Sequence, residues 1–306
     1  MNWKSVKIYL IFILAAVNIY LAASYISSQS RNMRLDSEAV ANTVSFLQKN
    51  GVSIEKNVIP EQLYNSNIVE TPYEENYYEN IATVLSDSEK ESVNILPDNS
   101  IRIMMQNGSV FTFDSKFGFS FYNSDRIDEI DKTPALFSAA TFTEQQPTKE
   151  QLRVLKRFLY PYDKSTSKIF DIEITSAQSD TDGYLYISCV QTVYNTPVNN
   201  NTVMIKMADN EITDAEGTWY FPSGVSVYTY EQYDQLSILF KDAGSNKLSG
   251  NISGNENEHK INALDYIYCI YWNATRDKIY FIPAWRITYD GGDSRIYNAV
   301  NCELYE

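Results

Sequence analysis

Three kinds of hydrophobic pattern follow one another along the chain. The first is continuous: no charge falls between Lys7 and Arg31, and the apolar part, residues 6–26, would reach about 30 Å as a helix, enough for one membrane crossing. The second has helical period. In DSEAVANTVSFLQKNG, Asp36 or Ser37 can cap a helix with Ala39, Val40, Val44 and Leu47 on one face, and Gly51 supplies a left-handed stop. PTKEQLRVLKRFLYP starts at Pro147 and Thr148, and its Leu152, Leu155, Lys156 and Leu159 spacing gives an apolar face; TYEQYDQLSILFKDAG predicts a further helix.

The third pattern is alternation. VSIEKNVIP alternates toward Pro60, and NSIRIMMQNGSVFTFD reads as two strands about Asn107-Gly108. Two longer pairs turn at Asp182-Gly183 and near Asp209-Asn210, and LDYIYCIYWN, KIYFIPAWRITYD and SRIYNAVN close the chain as three consecutive strands. In the middle one of these, Phe281, Pro283, Trp285 and Ile287 fall on one face and form the expected core of a hairpin, while Arg286 points away as a solvated charge.

The predicted fold class is therefore α+β: one N-terminal transmembrane helix followed by an ectodomain of helix-plus-antiparallel-meander units. The expected divisions are a tip at 1–5, a membrane helix at 6–26, a stalk at 27–35, a first α+β unit at 36–135 and a second, larger one at 148–306, with a polar link carrying Pro134 and Pro147. Lys4 and Lys7 precede the apolar run and Arg31 and Arg34 follow it, a slight lean toward a cytoplasmic N-terminus with the bulk of the chain outside the cell. A cleaved signal peptide is the alternative, since Ala22, Ala23 and Ser24 are small; the apolar run continues through Tyr25 and Ile26, which favours an uncleaved anchor. Within that anchor Ala15, Asn18 and Ala22 share one helical face and offer small side chains and an amide for contact with a partner helix in the membrane.

Composition narrows function mainly by exclusion. With 25 basic and 39 acidic residues among 306, a formal charge of -14 repels nucleic-acid phosphates, so no nucleic acid is expected as a partner. His259 is the single histidine and lies in a polar GNENEHK stretch, leaving no Ser-His-Asp or Cys-His machinery in view. Cys189 alternates with Leu185 and Ile187 as a buried thiol, and a Cys269–Cys302 bridge is left open. Three scattered cysteines and one histidine make no zinc spacing, and SDTDG at 179–183 reads as a hairpin turn, since Gln178 and Cys189 stand where a calcium loop needs Asp and Glu. Ser165 and Lys168 satisfy S-x-x-K without its companion elements, and Glu74-Glu75 and Asp128-Glu129-Asp131 read as solvated faces. No enzyme, metal or cofactor is expected.

Three stretches carry a resemblance: MNWKSVKIYLIFILAAVNIYL, VYNTPVNNNTVMIKMADNEIT at 193–213, and FIPAWRITYDGGDSRIYNAVN. Together they resemble the YycI and YycH family, closest to YycI, the membrane-anchored regulators of the YycG/YycF (WalK/WalR) two-component system of Gram-positive bacteria. The last two stretches are also similar to PepSY-like units. The resemblance implies a single-pass membrane protein without catalysis, whose partners are a sensor histidine kinase and a second YycH-like regulator. A surface-anchored, PepSY-like binding or inhibitor module for an extracellular peptide, protease or wall polymer is the alternative. The chain departs from the family in residues 62–92, which carry no family feature, and in the closing Asn-Ala-Val-Asn-Cys, where a Gly-containing end is expected.

Overall fold

The computed structural model describes residues 34–305 except 65–66, 75, 124–141, 162–165, 249–258, 274 and 276. It corrects the expected architecture. Fifteen strands and four α-helices are found among the described residues, and the strands join in a large open mixed sheet rather than in separate helix-plus-meander units. No described helix is long and apolar enough to cross a membrane; the segment expected to do so, residues 6–26, lies outside the described residues. The physical reason for the correction is pairing between strands distant in sequence, which local alternation does not encode.

Two compact units emerge, each assembled from separate pieces of chain: residues 66–231 with 266–284, and residues 34–65 with 232–265 and 285–305. The larger contains β2 (Ile68–Pro72), α2 (Tyr77–Ser86), β3 (Lys90–Ile95), β4 (Ile101–Met105), β5 (Val110–Phe113), β6 (Gly118–Tyr122) and β7 (Thr143–Glu144). These are followed by α3 (Lys149–Leu159), β8 (Phe170–Ser179), β9 (Leu185–Val193), β10 (Thr196–Ala208), β11 (Glu211–Thr218) and β12 (Ser226–Tyr228). Strands β3 to β6 form a meander, and β6 then pairs with β11, Phe121 opposite Ala215 and Phe119 opposite Gly217. That pairing joins strands expected in different units, 36–135 and 148–306.

Tight turns set the registers. Gly108 and Gly183 take φ of 84° and 85° in their hairpins, and Tyr194 and Asn195 both have positive φ where β9 turns into β10. At Gly217 a side chain is excluded for a different reason: a Cβ there would lie 2.3 Å from the Thr202 carbonyl oxygen of the neighbouring strand.

The sheet from β8 to β3 has two unlike faces. One is apolar and continuous: Ile103, Phe111, Phe121, Ala215, Ile205 and Ile187 lie on it across six strands, none more than 6% exposed. Helices α2 and α3 pack on this face, α2 through Tyr77, Ile81 and Ala82, α3 through Leu155 and Leu159. On the other face Arg102, Thr112, Ser120, Glu216, Met204 and Ser188 form a directly opposed row, with Tyr122, Asp214, Lys206 and Tyr186 as the next. Lys206 is buried there, 3.9 Å above the Tyr184 ring and directly across the strand pair from Asp214, an arrangement that fixes register because a one-residue slip would put this charge into the aromatic core.

The smaller unit contains α1 (Ser37–Lys49), β1 (Val52–Ile54), α4 (Gln235–Leu248) and β15 (Ser294–Asn298), together with the start of β13 (His259–Trp272) and the end of β14 (Lys278–Tyr289). Asp36 caps α1 by accepting from the Glu38 N–H at 3.2 Å. β1 runs parallel to β13, with Val52 opposite His259, and α1 lies against α4, where Phe46 and Phe240 meet edge to face at 5.0 Å.

Candidate functional site

Among the described residues, the positions singled out in the sequence do not converge on one site. Ala15, Asn18 and Ala22 lie outside the described residues, as do Ser165, Glu75 and residues 128–131. Phe281, Pro283, Trp285 and Ile287, alternate residues of β14, are all buried; Trp285 is 1% exposed, and its indole N–H donates to the Tyr233 carbonyl at 3.2 Å. Arg286 is partly exposed and pairs with Asp265 at 3.0 Å. His259 is the exposed first residue of β13, with its ring 6.3 Å from that of Tyr289. Cys189, Cys269 and Cys302 are buried and none of them forms a disulfide, and burial pushes the Cys189 thiol up to about 12, far from the thiolate a nucleophile needs. Asp180 is committed to its own turn, accepting from the backbone of Asp182 and Tyr184.

The site the fold does build was not visible as a motif. In the larger unit the C-terminal turn of α2, the exposed side of α3, the end of β6 and the start of β11 enclose a cleft of about 550 Å³. Its floor is apolar. Phe121 and Ile212 come from the sheet, 6% and 8% exposed, and Phe158 of α3 meets Phe121 at a ring separation of 5.3 Å. Val154 of α3 and Val84 and Leu85 of α2 make the walls. Asp87, Arg157 and Glu211, all exposed, stand on the rim.

Both helices are fixed by hydrogen bonds at their ends, so the cleft is preformed. Thr148 and Gln151 make a reciprocal capping box at the start of α3, and the Gln151 amide also donates to the Asp209 carbonyl at 2.7 Å, tying the helix to the β10–β11 turn. At the other end the Trp219 indole donates to the Leu159 carbonyl at 3.2 Å. For α2 the Tyr77 hydroxyl accepts from the Phe221 N–H at 2.8 Å and donates to the Phe221 carbonyl at 3.2 Å, while Asn107 donates to the Ser86 carbonyl at 3.1 Å. Asp87 ends α2 in the left-handed conformation, φ 51° and ψ 36°. Next to α3, burial holds the Tyr160 hydroxyl well above the usual tyrosine range, and it donates to the Asp171 carbonyl at 2.7 Å.

Chemically, a cleft of this size with an apolar floor and a few charges at its mouth suits the burial of one or two apolar side chains of a ligand, with the rim choosing among them. No group of three or more His, Cys, Asp or Glu placed to hold a metal is found among the described residues.

No family model and no curated protein sequence matches the chain. Among solved structures it is similar to an uncharacterized protein from Eubacterium rectale, with 13% identity over 83% of this chain and 89% of that one and a TM-score of 0.35.

Proposed function

We propose that the chain is a membrane-anchored regulator that works outside the cell by contact with a sensor histidine kinase, without chemistry of its own. The observation that carries this reading is the preformed cleft between α2, α3 and the sheet, an apolar receptacle with a charged rim. Support also comes from the apolar N-terminal stretch, free of charge between Lys7 and Arg31, as an anchor, the acidic balance of the rest, and the resemblance to YycI and YycH regulators. In this reading the Ala15, Asn18 and Ala22 face would contact the kinase within the membrane, and the cleft would engage it outside. A surface-anchored binding or inhibitor module for an extracellular peptide is favoured by one feature, that the cleft holds only one or two side chains and would need no larger partner surface.

The test is photo-crosslinking in intact host cells, with a photoreactive residue at Val84 on the cleft wall or at the exposed Glu173 on the other face of the sheet. A kinase adduct from Val84 and none from Glu173 is expected. Equal adducts from both positions, or a Val84 adduct only with a secreted peptide or protease, would overturn the kinase reading.

A further inference from the structure

We infer that the cleft takes a segment of partner chain in which an apolar side chain is flanked by a lysine or arginine. This rests on the reading of the cleft as the contact site and adds the chemistry of what enters it. The floor of Phe121, Phe158 and Ile212 calls for an apolar residue. The flanking charge follows from the rim, where carboxylates at Asp87 and Glu211 stand against one guanidinium at Arg157.

The helix ends tip the balance further. α2 presents its C-terminal turn to the cleft, the negative end of its dipole, and has no basic residue in that turn to offset it. Arg157 is in the last turn of α3, so its charge already faces the carbonyl end of its own helix. The mouth therefore favours a cation. The formal charge of -14 on the whole chain adds a long-range attraction for basic segments that speeds encounter and weakens with salt.

The probes are three fluorescein-labelled nonapeptides read by anisotropy against the full-length chain in detergent. One has a Leu-Phe pair flanked by lysines, one has the same pair flanked by glutamates, and one has lysines around a Ser-Ser pair. The first is expected to bind at least tenfold more tightly than either of the others. The double substitution Asp87→Asn with Glu211→Gln should abolish the preference for lysine over glutamate. It leaves the helix end intact, since Asn also accepts the left-handed conformation. Arg157→Gln should tighten the lysine peptide severalfold, a gain that misfolding cannot mimic.

Tighter binding of the glutamate peptide, or weaker lysine-peptide binding by Arg157→Gln, would overturn the inference in favour of an acidic or carboxylate-bearing occupant. A Val84 adduct with a second copy of the chain would overturn it as well. The two readings fail separately: a kinase adduct at Val84 that persists with no charge preference among the peptides defeats only this inference. A clear lysine preference without any kinase adduct defeats only the kinase.

Discussion

Asp242 is the most exacting test of the smaller unit. It lies on α4, 1% exposed, and its carboxylate accepts from the Tyr289 hydroxyl at 2.6 Å, the Tyr297 hydroxyl at 2.7 Å and the Arg295 guanidinium at 3.0 Å. One buried charge thus joins the helix to β14 and β15. Asp242→Ala would remove the acceptor of two buried hydroxyls and the counter-charge of Arg295. Each hydrogen bond to a charged group contributes about 1.5–3 kcal/mol, with the Arg295 share discounted because that side chain is 33% exposed. Breaking such a pair from one side costs about 3–5 kcal/mol, so about 4 kcal/mol is expected. Asp242→Asn keeps the shape and one acceptor, and should cost about half as much. Chemical denaturation followed by fluorescence reads this directly, because Trp285 belongs to the same unit. Adding Tyr289→Phe and Tyr297→Phe to Asp242→Leu should recover much of the loss, since no hydroxyl is then left without its acceptor. An Asp242→Ala protein within about 0.5 kcal/mol of the parent would mean that the carboxylate is solvated and the network does not hold the unit together.

Two further predictions concern stability. Trp285→Ala should cost about 3–5 kcal/mol through the cavity it leaves, whereas Arg286→Ala, which breaks a half-exposed ion pair with Asp265, should stay within about 0.5–1 kcal/mol; denaturant melts showing equal effects would mean that the β14 faces are misassigned. Burial raises the hydroxyls of Tyr78, Tyr160 and Tyr297 above the ordinary tyrosine value of 10.0 in the folded chain. A group raised on folding contributes fully below its unfolded value and loses that contribution as pH climbs toward its folded one, so stability should fall from about pH 10 upward. Melts between pH 8 and 11.5 should show this fall, made shallower by Tyr160→Phe; tyrosine absorbance titrating completely near pH 10 in the folded protein would refute it.

What could be read in the sequence is what is written locally. α1 shows its cap at Asp36, and the hairpins at Asn107-Gly108 and Asp182-Gly183 show their turns, because capping and positive φ depend on a few adjacent side chains. The pairing of β6 with β11, of β2 with β14 and of β1 with β13 joins positions nearly 100 to more than 200 residues apart, and nothing in an alternating strand names such a partner. α2 escaped for a related reason: its Tyr77, Ile81 and Ala82 are spaced for a helix, but Tyr-rich stretches favour strands unless packing overrides them. Its Tyr77 hydroxyl, bonded to the backbone of Phe221, is part of that override.

The cleft combines the same kinds of contribution. Residues 84–87, 121–123, 154–161 and 210–212 each supply a few of its positions, and each reads locally as the end of an element rather than as a site. Phe121 looks like one more core residue because it is one; it also lines the cleft, where its ring meets Phe158 of α3 at 5.3 Å. Asp87, Arg157 and Glu211 look like solvated charges, and for the stability of the fold Arg157 and Glu211, or Asp87 replaced by Asn, behave as such, since exposed substitutions shift it by only about 0.5 kcal/mol. Under the proposed reading of the cleft, their consequence lies in the choice of ligand. A screen for destabilising substitutions would therefore find Leu155, Trp219 and Ile205 and pass over the rim, whereas a binding assay with charge-varied peptides would find the rim and be insensitive to most of the sheet.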